Sequence, residues 1–202
     1  MNKKDTIITP EMNTFEHLIS KVNNDDSRTK ETATKAIKLV YQVSSRLALD
    51  IGNEFFLKCG SNVNLEEVEK MSMISNLGIP VPKVVKSWSF EGINFIMMEK
   101  VKGRLLNDIW DSLSTPHKRV IVDQAVAMIN KMRRENKEGL VIVHGDFQPL
   151  NIIIDENSHK IAAIIDWETC SYREEEKEIE KITNHPDCPQ DWVEMLKSSL
   201  KK

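Results

Sequence analysis

No apolar run in this chain approaches the roughly 20 residues that a membrane-spanning helix needs. The opening segment, MNKKDTIITPEM, lacks the apolar stretch of a secretory signal. Cysteine is scarce: Cys59, Cys170 and Cys188 stand far apart, odd in number and without a C-x-x-C pair. They offer no disulfide framework and fit reduced thiols in a cytoplasmic protein. A basic excess is also missing, with 28 Lys and Arg against 31 Asp and Glu and a net charge of −3. That balance argues against a general nucleic-acid binder. There is no internal repeat and no low-complexity tract. What remains is 202 residues, 40% hydrophobic and 29% charged, ordinary for a soluble globular protein and enough for one compact domain or two small lobes.

The stretch that the rest of the chain serves is VIVHGDFQPLNIIIDENSHKIAAIIDWE, Val141 to Glu168. Its short β-branched runs on both sides of a polar loop predict strand, loop, strand, turn, strand. The polar residues fall where buried strands end, so rigid elements would hold them. Asp146, Asn151 and Asp166 are thereby candidates for one shared pocket. An Asp five residues before an Asn, with a second Asp ending the next hairpin, is the kinase arrangement. One carboxylate takes the nucleophile's proton; the amide and the second carboxylate hold Mg²⁺ on the phosphates.

HGDFQPLN followed by IIDWE resembles the aminoglycoside phosphotransferase and choline kinase-like family, a small-molecule branch of the protein-kinase-like fold. The resemblance implies an α+β, bilobal fold, with a small antiparallel-sheet N-lobe over residues 1–99 and a reduced, mainly helical C-lobe over 100–202. It implies ATP and Mg²⁺ as cofactors and a hydroxyl-bearing small molecule as acceptor. Asp146 would be the general base, Asn151 and Asp166 the metal ligands, and His144 an organiser of the loop. Gly145 stands where a protein kinase carries the Arg that receives a phosphorylated activation loop, which argues against that switch.

Earlier in the chain, TFEHLISKV predicts a short helix with Phe15, Leu18, Ile19 and Val22 on one face and His17 at the surface. From Ala36 to Cys59 the pattern is strand-like. The family's Gly-rich turn over the phosphates is reduced here to Gly52. Lys58, closing FFLK, matches the strand lysine that reaches the phosphates. Asn64 with Glu67 reads as a capping box opening a helix that stops at Gly78 and Pro80. The resemblance assigns one early glutamate of this helix to Lys58. Glu69 is the choice, and Glu67, which the cap would engage, is the alternative. IPVPKV is an extended connection. Ser87–Phe90 and Ile93–Met98 form a hairpin about Glu91-Gly92. By resemblance Met97 and Met98 line the nucleotide pocket, and the backbone of Glu99 to Val101 binds adenine.

Thr115 is expected to cap a longer helix with Pro116 at its first position and Ile121, Ala125, Met128, Ile129 and Met132 facing the core. After Glu168 the segment SYREEEKEIEKI reads as a solvated charged helix, and DWVEMLKSSL as a last amphipathic one. The acceptor pocket in this family draws on acidic or aromatic residues of such helices; Glu174 to Glu176, Glu178 and Trp192 could serve here, although charged helix faces are usually just solvated. His159 is expected to be exposed in its turn. Two other functions compete with a small-molecule kinase: a degenerate nucleotide-binding scaffold without turnover, and a protein kinase. The second is disfavoured by the short chain after Asp166 and by D-W-E in place of D-F-G.

Overall fold

The computed structural model describes residues 37–43, 46–52, 54–186 and 188–201. The helix expected over TFEHLISKV lies outside them. The chain divides into two compact units, one from residues up to Val63 with Val85–Lys100, the other from Asn64–Val84 with Val101–Lys202. The sequence-based boundary after residue 99 lies beside the second crossover, while residues 64–84 pack with the second unit.

The first unit is an antiparallel sheet of β1 (Ile37–Val43), β2 (Arg46–Ile51), β3 (Phe55–Gly60), β4 (Val84–Phe90) and β5 (Ile93–Glu99). Its spatial order is β1-β2-β3-β5-β4. Alternating residues Leu47, Leu49, Leu57, Cys59 and Phe95 form the buried face, and Trp88 stacks on Phe95 at 4.8 Å. The two-residue period puts Lys58 on the other face, paired across the strands with Ala48 and Ile96. Met98, two residues beyond Ile96, shares that face. Glu91 and Gly92 turn the β4–β5 hairpin with φ of 49° and 79°, the left-handed pair that suits the twist of the strands.

The second unit begins with helix α1 (Glu66–Asn76), which buries Glu67, Met71 and Ile74. No capping box forms at its start: Leu65 occupies the cap position, and Asn64 Oδ1 accepts from Glu66 N at 3.0 Å. Then come β6 (Arg104–Leu105), α2 (Leu106–Ile109), a 3-10 turn at Trp110–Ser112, and α3 (Thr115–Arg134). Ser114, not Thr115, occupies the cap position of α3, since Thr115 is already helical; Pro116 sits in the first turn, and Ile121, Val122, Ala125, Ile129 and Met132 are the buried stripe. The chain continues through β7 (Asn136–Lys137), β8 (Leu140–Val143), β9 (Ile152–Asp155), β10 (Lys160–Ile164) and β11 (Ser171–Arg173) to α4 (Lys177–Thr183) and α5 (Gln190–Leu200).

These strands make two small sheets, β10-β9-β6 and β11-β8-β7. Strands β8 and β9, adjacent in sequence, therefore belong to different sheets, and the polar loop between them crosses from one to the other. Gly103, at φ 139°, lets the chain pass so close to the Ile154 carbonyl that a Cβ would collide with it. Helices α3 and α5 are tied by Asp191, which accepts from Lys118 Nζ at 2.6 Å and from Trp110 Nε1 at 2.7 Å. His159 differs from expectation. It is half-buried at φ 54° with its ring stacked on His117 at 4.0 Å, because its carbonyl accepts from Gln124 and draws the turn onto α3.

Candidate active site

The loop that leaves β8 is fixed at its first three residues. Gly145 has φ 84°, and a Cβ there would lie 2.9 Å from Thr169 Oγ1 and 3.2 Å from the Thr169 carbonyl oxygen. The same hydroxyl donates to the His144 carbonyl at 2.8 Å. Gly145→Ala would combine a disfavoured φ with this contact, at a cost on the order of 1–3 kcal/mol. A lowered unfolding midpoint is the expected result, and an unchanged midpoint would show that the loop relaxes freely.

His144 is fully buried and acts as a strut. Its Nδ1 accepts from Asp146 N at 3.2 Å and its Nε2 lies 3.0 Å from the Ile165 carbonyl. An accepting Nδ1 requires the neutral ring with hydrogen on Nε2, so Nε2 donates to Ile165. Burial lowers its pKa to about 4, against the pull of the Ile165 hydrogen bond and of the Asp166 and Asp146 charges. The ring meets Trp167 edge-on at 4.4 Å, and Trp167 in turn donates to the Ile164 carbonyl at 2.8 Å.

Asp146, half-buried, is held at both carboxylate oxygens. Asn151 Nδ2 donates to Oδ2 at 2.8 Å and to the Asp146 carbonyl at 2.9 Å. Gln148 Nε2 donates to Oδ1 at 2.6 Å. Asn151 is itself buried and closes a 3-10 turn at Pro149–Asn151. Its carbonyl accepts from Ile165 N at 2.9 Å, so it is joined to the residue before Asp166. Asp146 and Asn151 are thus in direct contact, and the backbone of Asn151 is bonded to the residue that precedes Asp166. Asp166 adopts the left-handed conformation, φ 65° and ψ 60°, as β10 gives way to the 3-10 turn Trp167–Thr169. A short polar side chain tolerates that conformation better than most.

Glu67, Asp166 and Glu168 each offer a carboxylate oxygen, all within 4.8 Å of one another. Hard oxygens so grouped fit a small divalent cation such as Mg²⁺. With both amide hydrogens of Asn151 directed at Asp146, its amide oxygen is the donor left for a metal. Lys70 Nζ donates to the Glu168 carbonyl at 2.6 Å, which binds α1 to the turn carrying Asp166 and Glu168. Glu67 and Lys70, three residues apart, share the inward face of the helix. Glu69 is exposed.

The residue that sequence reasoning did not assign to the loop is Glu178. It lies at the start of α4 inside the charged run and is 2% exposed. Its carboxylate accepts from His144 N at 2.5 Å and from Gly145 N at 3.1 Å, and Phe147 N also donates to it. Burial raises its pKa to about 7, against the pull of these three donors, with the Asp146 charge adding to the rise. Strand β11 and buried Ile182 likewise break the expected solvated helix. Trp192, a candidate for the acceptor pocket as well as for the apolar face of the last helix, is fully buried edge-on to Trp110 at 5.3 Å. Glu174 to Glu176 are exposed, and Glu175 pairs with Arg133 at 2.9 Å.

In the first unit Lys58 is half-buried and Met98 is buried, on one face of the sheet. Glu99 is exposed, and Lys100 N donates to the Glu54 carbonyl at 2.8 Å. Val101, half-buried, opens the second unit's longer segment.

An antiparallel sheet preceding a unit of helices and small hairpins, with HGD and IIDWE at strand ends, defines a kinase-like protein of mixed α+β class. A family model described as RIO domain matches residues 16–185, and the chain belongs to that family. No curated protein matches it in sequence. The likeness to solved structures lies among aminoglycoside phosphotransferases. The GDP complex of aminoglycoside 2'-phosphotransferase-IIIa is 11% identical with a TM-score of 0.71, over 96% of this chain and 84% of that one. An ADP-bound aminoglycoside phosphotransferase is 11% identical with a TM-score of 0.68, over 87% and 82%. An aminoglycoside phosphotransferase from Streptomyces rimosus is 12% identical with a TM-score of 0.62, over 91% and 90%. At such identities the likeness defines the fold. The resemblance read in HGDFQPLN therefore holds at the level of the kinase-like fold, and the family is the RIO domain. Among the described residues no helix is long and apolar enough to cross a membrane.

Proposed function

We propose that this protein is an ATP- and Mg²⁺-dependent phosphotransferase that phosphorylates a hydroxyl of a small molecule in the cytoplasm, in the manner of aminoglycoside phosphotransferases. The observation that carries the reading is the clamped Asp146 carboxylate, joined through Asn151 and Ile165 to Asp166. Asp146 orients the acceptor hydroxyl and takes its proton as the phosphoryl group moves. Asn151 and Asp166, with Glu67 and Glu168 beside Asp166, would hold Mg²⁺, whose charge offsets that of the phosphates. Lys58 reaches the phosphates, Met98 lines the nucleotide pocket, and the backbone of Glu99 to Val101 binds adenine. Of the two early α1 glutamates, buried Glu67 takes the functional place in this reading. The reaction needs no covalent intermediate, since positioning and charge stabilisation lower the barrier.

The match to the RIO domain, which is atypical protein kinase-like, raises a second acceptor class, a hydroxyl on a protein. A panel of hydroxylated metabolites and a panel of protein substrates, read by ATP consumption, distinguish the two. ATP binding without consumption in either panel would support a scaffold instead. Asp166→Ala is expected to abolish the Mg²⁺-dependent part of ATP's thermal stabilisation while the protein stays folded. A full Mg²⁺-dependent shift in that variant would place the metal elsewhere.

A further inference from the structure

We infer that Gln148 is a positioning residue for Asp146, fixing the plane in which its carboxylate meets an acceptor hydroxyl; the inference rests on the phosphotransferase reading above. Gln148 is 2% exposed, and its Nε2 donates to Asp146 Oδ1 at 2.6 Å. Asn151 holds the other oxygen at 2.8 Å. Two amides, neither of which titrates, thereby fix both ends of the carboxylate and leave its remaining lone pairs for a hydroxyl.

The other end of the Gln148 side chain shows what this arrangement costs. Its Oε1 is buried and has no hydrogen-bond partner among the described residues. Reversing the amide would set an oxygen against a carboxylate oxygen, so the charge of Asp146 dictates the orientation. An unsatisfied buried acceptor is a standing penalty that an apolar residue of the same shape would remove. Backbone contacts already shape the turn without the side chain: Gln148 N donates to the Asp146 carbonyl at 3.0 Å, and Asn151 N to the Gln148 carbonyl at 2.9 Å. The side chain thus adds little that folding requires and much that Asp146 requires.

Gln148→Met keeps the length and removes both polar ends. Its expected unfolding midpoint equals or exceeds the parent's. Its kcat is expected to fall on the order of 10- to 100-fold, as for a reacting group displaced by a fraction of an ångström, with KM for ATP unchanged. A merely structural glutamine would instead lower midpoint and kcat together, and that result would overturn the inference. So would undiminished kcat in the folded variant. Side-chain amide NMR supplies a readout apart from turnover. One Gln148 N–H should resonate downfield in the parent and return to the free position in Asp146→Ala; no movement would overturn the inference. A parent that transfers no phosphate to any acceptor overturns the phosphotransferase reading and this inference with it. An active parent with full turnover in Gln148→Met overturns this inference alone.

Discussion

Asp146→Asn is expected to bind Mg·ATP as the parent does and to lose turnover by on the order of 10²-fold or more. The substitution keeps the shape of the side chain and removes the charge and the proton acceptor. A base that meets only the acceptor hydroxyl contributes to the transition state and not to nucleotide affinity. Its neighbours sharpen the expectation. Asn151 and Gln148 both present amide hydrogens to the carboxylate, at 2.8 and 2.6 Å. An amide at position 146 would turn its own hydrogens toward one of those donors and disturb the clamp as well. Isothermal titration with Mg·ATP and a steady-state assay give the two halves of the result. Undiminished turnover in Asp146→Asn would remove this loop from catalysis.

Glu178→Ala is expected to be among the most destabilising substitutions in the second unit, at about 3–5 kcal/mol. It would leave the amides of His144, Gly145 and Phe147 without their acceptor, at roughly 1–3 kcal/mol for each buried donor that finds no other. The cost falls on the segment that carries Asp146, so surviving protein should also turn over poorly. Glu178→Gln isolates the charge. Burial raises the native pKa of Glu178 from 4.5 to about 7. Between those values the unfolded chain binds fewer protons at this group than the folded chain. Stability from Glu178 is therefore fully present below pH 4.5 and is lost as pH rises through about 7. Chemical unfolding of the parent across that window should show a decline that Glu178→Gln lacks. The same slope in both proteins would assign the decline to another group. Ionisation of Glu178 thus weakens the fold relative to the protonated group, while removal of the group deprives three amides of their acceptor.

The strand, loop and strand course around HGDFQPLN was legible because its signals are local. Apolar runs ended at polar residues, and the Asp146–Asn151 spacing is short enough for one 3-10 turn to bring the two side chains together. The β4–β5 hairpin was legible from Glu91-Gly92, two residues whose left-handed conformation the turn demands. Glu178 was not, because its partners lie more than thirty residues earlier and its neighbours are solvated glutamates. Charge alone does not distinguish the one that turns inward. The start of α1 misled for a related reason. Asn64 and Glu67 have the spacing of a capping box, yet Glu67 is drawn inward beside Asp166 and Glu168, so tertiary packing overrides the local motif. Trp192 was legible as part of the apolar face of the last helix, and its buried ring serves the α3–α5 packing rather than an acceptor pocket. HGD and IIDWE pointed to the kinase-like fold but did not separate the aminoglycoside phosphotransferase family from the RIO domain.

The central claim is that this site moves a phosphoryl group from ATP to a hydroxyl. Phosphorus-31 NMR of the protein with Mg·ATP and a pool of hydroxylated metabolites tests it most directly. The account predicts a new phosphomonoester resonance that grows in step with ADP and is absent with Asp146→Asn. Bound Mg·ATP that yields no phosphomonoester from that pool or from protein acceptors, or a product that forms equally with Asp146→Asn, would contradict it.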